Sequence, residues 1–398
     1  MIIKNIGLLA GIVPESVRLK AGSAMGSVEC LRNAWLQVSH GVIEDFGPSG
    51  REPSDPETVD ACGGMLMPSF CDSHTHIVYA GSRDGEFLDK LKGLSYEEIA
   101  ARGGGILNSA DLLHETPEDE LYRQSMERVA EMTAMGTGAM EIKSGYGLRR
   151  EDELKMLRVI RKILETAPAA VRATFLGAHA VGRGHDRESY VNEVIAMLPE
   201  AAPLSDFVDV FCDKGFFTPE DTSRILSAAA EYGLRPKIHV DELAVTGGLE
   251  VGIAHGALSV DHLEQTGEEG IRALKGSGTM PTMLPGSSFF LGLPYGKARQ
   301  FIAAGLPVAL ASDYNPGSSP SGDMRWVMAL GCIKMRLTPE EAFNAVTLNG
   351  AYAMGLEDSC GSITRGKDAR LILTHPGWDL TKLAYQYRTP YIKRVFTK

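Results

Sequence analysis

The sequence predicts an α/β chain: a (β/α)8 TIM-like barrel joined to a small β-sandwich domain built from both chain ends. Short apolar runs alternate with amphipathic helical patterns through most of the chain, strand-like patterns occupy both ends, and histidine or acidic residues close several of the runs. The alternation indicates parallel strands joined by helical crossovers. Eight such runs indicate a closed barrel rather than an open sheet.

Residues 1–65 read as short strands and turns, with Leu36–Val38 and Val42–Phe46 flanking a His40-Gly41 turn and Gly47-Pro48 ending the segment. Residues 66–356 hold the eight runs: Leu66–Cys71, Ala139–Ile142, Arg172–Leu176, Phe207–Phe211, Pro236–Ile238, Leu258–Val260, Met280–Leu284 and Val308–Ala311. Between them lie helical patterns. The first is Ser95-Tyr-Glu-Glu-Ile, where Ser95 and Glu98 are spaced as a capping box. Glu118–Ala134, Arg150–Thr166, Ser189–Leu198, Pro219–Tyr232, Gly248–His255, Glu268–Lys275, Lys297–Ala304 and Pro339–Met354 follow. An open doubly wound sheet would want a G-x-G-x-x-G after its first strand; the Gly103-Gly-Gly run lies in a long loop instead. The methionines of Met126–Met140 fall at core spacing. Residues 357–398 return to strand character at Ala369–Leu373 and Tyr391–Phe396, a tail expected to pair with residues 1–65.

Composition narrows the partners. The 398 residues are 44% apolar and 23% charged, with a formal net charge of -11. An acidic surface argues against nucleic acid and anionic membrane partners, while leaving room for a local arginine to bind a small anion. None of the six cysteines forms a C-x-x-C pair, so reduced thiols and a cytoplasmic location are expected. The apolar stretch Ile6–Val13 reads as a buried strand rather than a leader, and no stretch reaches the ~20 residues of a membrane span.

The chemistry-bearing residues gather at the ends of the runs, where barrel enzymes place their catalytic groups. The first run ends Cys71-Asp-Ser-His74-Thr-His76. Residues two apart in a strand face one side, so His74 and His76 point together into the barrel mouth. Alone, that pair reads more simply as two polar loop histidines. The fifth run ends Lys237-Ile-His239-Val-Asp-Glu242, the sixth Val260-Asp-His262 and the eighth Ala311-Ser-Asp313. A third histidine and an aspartate at about the same height complete a nitrogen and oxygen set suited to Zn²⁺ or Fe²⁺. His40, His114, His185, His255 and His375 lie away from strand ends and read as structural or solvated.

The segments PSFCDSHTH, KIHVDE, SVDHLE and ALASDYNPGSSP resemble the amidohydrolase superfamily. Within it, HTHIVYAGSRDGEF, MEIKSGYGL, TFLGAHAV, VDVFCDKG, HVDELAVTGG and PTMLPGSSFFL are similar to the imidazolonepropionase family of histidine degradation. TPEEAFNAVTLNGAYAMGL followed by GSITRGKDARLIL resembles the superfamily's return from barrel to β domain. The resemblance covers about residues 60–375 and implies a metallohydrolase barrel with one divalent metal. It implies hydrolysis of the ring amide C–N bond of 4-imidazolone-5-propionate to N-formimino-L-glutamate.

Carried over by position, it implies His74, His76, His239 and Asp313 as metal ligands. Glu242 and His262 are implied as acid–base or polarising groups, and Arg83, Tyr146, His179, Asn315, Gly317 and Ser318 as substrate contacts. His262 would take a proton from the attacking water or steady the carbonyl oxygen, Asp313 would pass a proton to the leaving ring nitrogen, and Glu242 would accept from a ring N–H. A homodimer is implied as well. A related deaminase or cyclic-amide hydrolase for another ring would keep the ligands and change Arg83, Tyr146 or His179. A non-enzymatic barrel would have lost a ligand or Glu242.

Blander readings stand beside several of these. Arg83 has Asp84 and Glu86 nearby as ion-pair partners, Tyr146 sits in a glycine-flanked turn, His179 fits a hydrogen-bonded core histidine, and Asn315-Pro-Gly-Ser-Ser is an ordinary turn sequence. Lys143 and Lys214 raise the question of a carbamylated bridging lysine; the mononuclear resemblance instead makes Lys214 an ion-paired loop lysine. Ser69, Ser287 and the tail Tyr385-Gln-Tyr-Arg-Thr-Pro depart from the family pattern.

Overall fold

The computed structural model describes residues 1–94 and 104–397. The Ser95–Glu98 capping pattern and Gly103 lie outside the described residues. Five strands open the chain: β1 (Ile2–Ile12), β2 (Glu29–Ser39), β3 (Val42–Pro48), β4 (Thr58–Asp60) and β5 (Gly64–Pro68). β2 and β3 turn at His40 and Gly41, whose φ values of 51° and 77° are those of a tight two-residue hairpin. β4 and β5 run parallel to β1.

Eight parallel strands then follow in sequential order: β6 (Phe70–Thr75), β7 (Thr137–Lys143), β8 (Ala170–Ala178), β9 (Phe207–Cys212), β10 (Arg235–Val240), β11 (Ser259–His262), β12 (Met280–Met283) and β13 (Ala309–Leu310). The ends of the ring meet where Asp313 N–H donates to His74 O (3.0 Å) and His76 N–H to Tyr314 O (2.9 Å). Closure therefore runs through the very residues expected to bear the chemistry. β14 (Leu371–Pro376) and β15 (Ile392–Phe396) return to the first sheet, where β14 pairs antiparallel with β5. The result is one seven-stranded sheet drawn from both chain ends. Ile3, Ile6, Leu9, Leu36, Leu66, Leu371 and Leu373 form an apolar core of its own beneath it.

The expected run Leu66–Cys71 is two strands. Gly64–Pro68 belongs to the terminal sheet, and the barrel starts at Phe70. Pro68 ends the first, and Ser69 N–H turns to Arg370 O at 2.9 Å. Both strands are buried throughout, so periodicity carries no mark of the break.

The helices Glu118–Ala134 and Arg150–Thr166 match their patterns to the residue. The second buries Leu157, Ile160 and Ile163, an i, i+3, i+6 stripe, against the barrel. The Pro339–Met354 pattern is instead two helices, Pro339–Val346 and Leu348–Tyr352, broken at Thr347 where φ is -123° and ψ -95°. Sequence reading did not foresee Asp84–Leu91, Ile106–Glu115, Pro285–Leu291, Met324–Met335 or Leu380–Tyr385. Met324–Met335 is apolar nearly all round, so it shows no amphipathic stripe. None of the described helices is long and apolar enough to cross a membrane, and all six cysteines are unpaired.

Candidate active site

The C-terminal ends of the barrel strands bring His74 from β6, His76 just after it, His239 from β10, His262 from β11 and Asp313 after β13 into one buried cluster. Alternation along β6 sets the two ligand candidates side by side. The Nε2 atoms of His74 and His76 are 3.2 Å apart, and one nitrogen from each of His74, His76 and His239 falls within a 4.8 Å group. Asp313 Oδ1 lies 3.6 Å from His74 Nε2 and 3.5 Å from His76 Nε2. Nitrogens ~2.0–2.1 Å from a tetrahedral metal stand about 3.3 Å apart, so the spacing fits a divalent ion.

The state of these groups fits one too. Both ring nitrogens of His239 are buried without a hydrogen-bond partner among the described residues, Nδ1 having only an ion-pair contact behind it. Burial holds the His74 and His76 imidazoles well below their ordinary pKa and takes His239 down to about 3. All three are then neutral at pH 7, the form in which imidazole ligates. Carboxylates stand behind the far nitrogens: Asp261 Oδ2 hydrogen-bonds His74 Nδ1 at 2.7 Å, and Asp209 Oδ2 lies in ion-pair contact 3.0 Å from His239 Nδ1. Such carboxylate–histidine pairs orient imidazoles for metal binding. Asp261 and Asp209 went unnamed in the sequence reading.

Beside the three imidazoles stands a histidine between two carboxylates, the His262 ring 5.2 Å from that of His239. His262 Nδ1 lies 3.7 Å from both Glu242 Oε2 and Glu264 Oε2. Burial alone would lower the His262 pKa, but the two carboxylates outweigh it and carry it to about 10. Burial pushes Glu242 up to about 7, with the His262 charge pulling it back. Glu264, also unnamed, accepts from Ser288 Oγ at 3.0 Å. The loop that presents Glu242 is pinned by Asp213, which accepts from the Glu242 (2.7 Å), Leu243 (3.0 Å) and Ala244 (3.1 Å) amides. His262 and Leu263, with φ of 86° and 70°, and Asp313, with φ of 54°, hold left-handed backbone. Strain of this kind gathers where surrounding structure enforces a functional geometry.

His179 stacks on His76 with ring centroids 5.2 Å apart, its Nδ1 3.0 Å from Gly145 O. Tyr146 is buried edge-on to both rings, at 6.0 Å from His76 and 5.5 Å from His179. Asn315 is occupied in shaping its turn: its Oδ1 accepts from the Gly317 and Ser318 amides, each at 2.8 Å, and its Nδ2 donates to Asp313 O at 2.7 Å. Ser318 Oγ donates to Asp313 Oδ2 at 3.2 Å. Arg83 pairs with Glu86, its Nε 3.0 Å from Glu86 Oε2, and its guanidinium lies against the Cα of Gly317. The ion-pair reading of Arg83 is thus realised with Glu86, in a place where its charge still acts on Tyr146 and His179.

Lys214 is exposed, and Lys143 is fully buried behind the cluster. His114, His185 and His255 engage Asp152, Glu193 and Ser223 outside the site.

Residues 65–398 match the amidohydrolase family. The chain is 51% identical over 401 residues to an imidazolonepropionase of Flavobacterium johnsoniae, covering 99% of this chain and 98% of the relative. It is 49% identical over 403 residues to an imidazolonepropionase of Christiangramia forsetii, covering 100% and 98%. Among solved structures, 5-methylcytosine deaminase from Klebsiella pneumoniae superposes with a TM-score of 0.75 at 15% identity, over 100% of this chain and 96% of that one, a likeness of fold.

Proposed function

We infer the reaction from one premise: the chain belongs to the amidohydrolase family and, within it, to the imidazolonepropionases. It is a cyclic-amide hydrolase that opens the ring of 4-imidazolone-5-propionate to N-formimino-L-glutamate. The geometry favouring this reading is the juxtaposition of a neutral three-imidazole cluster, bordered by Asp313, with a His262 flanked by two carboxylates.

His74, His76, His239 and Asp313 are the residues proposed to hold one divalent metal, Zn²⁺ or Fe²⁺. When bound, the ion supplies a water acidic enough to act as a nucleophile near neutral pH. The remaining work falls to side chains. His262, held protonated by Glu242 and Glu264, donates to the ring carbonyl oxygen as charge develops there. Glu242 accepts from a ring N–H and keeps the ring in register. Asp313 would take the proton the attacking water gives up and pass it to the departing ring nitrogen. Tyr146 and His179 wall the ring, and the Asn315–Ser318 turn keeps Asp313 and Arg83 in place. We take the working form to be a cytoplasmic homodimer, which sedimentation would check.

Arg83 is proposed to take the propionate carboxylate, which a planar fork suits. Arg83→Met is expected to raise KM about 10- to 100-fold, as loss of a charged hydrogen bond of ~1.5–3 kcal/mol requires, with kcat changed far less. A Cβ at Gly317 would come within 2.3 Å of Arg83 Nη1. Gly317→Ala is therefore expected to displace the guanidinium and raise KM in the same direction by a smaller factor. Steady-state kinetics on both variants check this pair; an unchanged KM in Arg83→Met would contradict the assignment.

The reaction itself is tested by generating 4-imidazolone-5-propionate in place from urocanate and urocanase and following its absorbance. Loss faster than the spontaneous rate, with formiminoglutamate appearing, is the expected result. No acceleration by metal-loaded protein would refute the substrate.

A further inference from the structure

The interior of the barrel below the candidate metal centre is ionic. Glu141, Lys143, Asp209, Lys237 and Asp261 are each at most 1% exposed. Two ammonium groups and three carboxylates buried together are costly, and well-packed apolar side chains would serve stability as well or better. Barrel interiors are ordinarily filled by branched apolar layers. The arrangement therefore calls for a role beyond stability.

Its connections run toward the metal centre. Lys143 Nζ lies 2.8 Å from Asp209 Oδ2 and 3.7 Å from Asp261 Oδ2. Those same two oxygens face His239 Nδ1 and His74 Nδ1, at 3.0 and 2.7 Å. One ammonium thus sits behind two carboxylate–imidazole pairs, on different strands, that flank the same site. Glu141 anchors the ammonium from β7 at 2.6 Å, and is itself held by Thr174 Oγ1 at 2.6 Å and by Lys237. Lys237 is fixed in turn by the carbonyls of Ser73 (3.0 Å) and Ala353 (2.9 Å), the first of which adjoins His74. The five groups carry one net negative charge. Lys143 is engaged by carboxylates in this way and is not placed as a bridging ligand.

We propose that Lys143 is a positioning residue of the metal centre: it locks Asp209 and Asp261 so that these orient His239 and His74 with Nε2 turned to the ion. The proposal rests on the assignment of His74, His76 and His239 as ligands. Without the ammonium, the two carboxylates repel each other and the imidazoles lose their fixed orientation. Loss of a carboxylate partner behind a ligand histidine typically weakens metal binding about 10- to 100-fold.

The test is Zn²⁺ affinity, read by competition with a fluorescent chelator, for metal-free wild type, Lys143→Met, Asp261→Asn and the double variant. Far-UV circular dichroism and the thermal midpoint of each metal-free protein are recorded beside it. Lys143→Met is expected to bind Zn²⁺ about 10- to 100-fold more weakly than wild type while folded. The double variant is expected to be weakened by less than the product of the single factors, because both changes break one linkage. A merely structural lysine would lower the midpoint and leave the two factors multiplicative, which overturns the proposal, as does a folded Lys143→Met with affinity within twofold of wild type. Should Lys143→Met fail to fold, Asp261→Asn decides: weakened binding sustains the linkage, and affinity within twofold breaks it. Wild type that binds no Zn²⁺ would instead sink the ligand assignment on which the proposal stands.

Discussion

Replacing His74 by alanine is expected to empty the metal centre and return ring opening to its spontaneous rate. His74 stands at the middle of the cluster: its Nε2 faces His76 Nε2 and Asp313 Oδ1, and its Nδ1 faces Asp261. Its ring is also the nearest of the ligand candidates to that of His239, 4.4 Å between centroids. Removing it takes away a ligand and leaves the Asp261 carboxylate facing a cavity. The expected outcome is loss of bound metal by elemental analysis together with loss of turnover, at retained secondary structure. A His74→Ala protein that keeps stoichiometric metal and full rate would refute the ligand set.

The next largest effect is expected at the neighbouring wall. Glu242→Gln should lower kcat/KM by up to about 10²-fold, the upper end for exchanging a charged hydrogen bond of ~1.5–3 kcal/mol for a neutral one. The pH dependence carries the sign. Burial raises Glu242 to about 7, so its carboxylate form, proposed to accept from the ring N–H, is lost as pH falls through that value. Wild-type kcat/KM is therefore expected to drop on the acid side of about pH 7 and to level off above it. His262, held well above its ordinary pKa by Glu242 and Glu264, stays protonated across this window. In Glu242→Gln the acid limb should vanish along with most of the rate. A pH–rate profile on both proteins checks this; an acid limb that survives in the variant assigns it to another group.

The ligand candidates and His262, which sequence reading located, share one property: they lie where a barrel strand ends. His74 and His76 at the end of β6 are the clearest case, two residues apart and so on one face, and His239 near the end of β10 follows. What it passed over is the residue beside one it named: Asp261 adjoins His262, so simple alternation sends the two to opposite faces. Yet Asp261 meets His74 at 2.7 Å, and the His262 ring stands 5.6 Å from the His74 ring. The left-handed backbone at His262 and Leu263 turns the chain so that both reach the centre, and no residue type at those positions announces it. Asp209 and Lys143 read as polar interruptions in apolar strands, and only closure of the barrel makes them neighbours. The barrel itself was legible because its crossovers are long and periodic. The Leu66–Cys71 run was not divisible, because both strands it contains are buried on all sides. Arg83 shows the limit from the other direction: its local partner Glu86 and its distant neighbour Gly317 both hold it, and sequence spacing reveals only the first.

The most direct test of one catalytic ion in a histidine–aspartate centre is a titration of metal-free protein with Zn²⁺ or Fe²⁺, following ring opening of 4-imidazolone-5-propionate at each addition. Activity is expected to rise linearly and break at one ion per chain. A break at two ions per chain, or full activity before any metal is added, would contradict it.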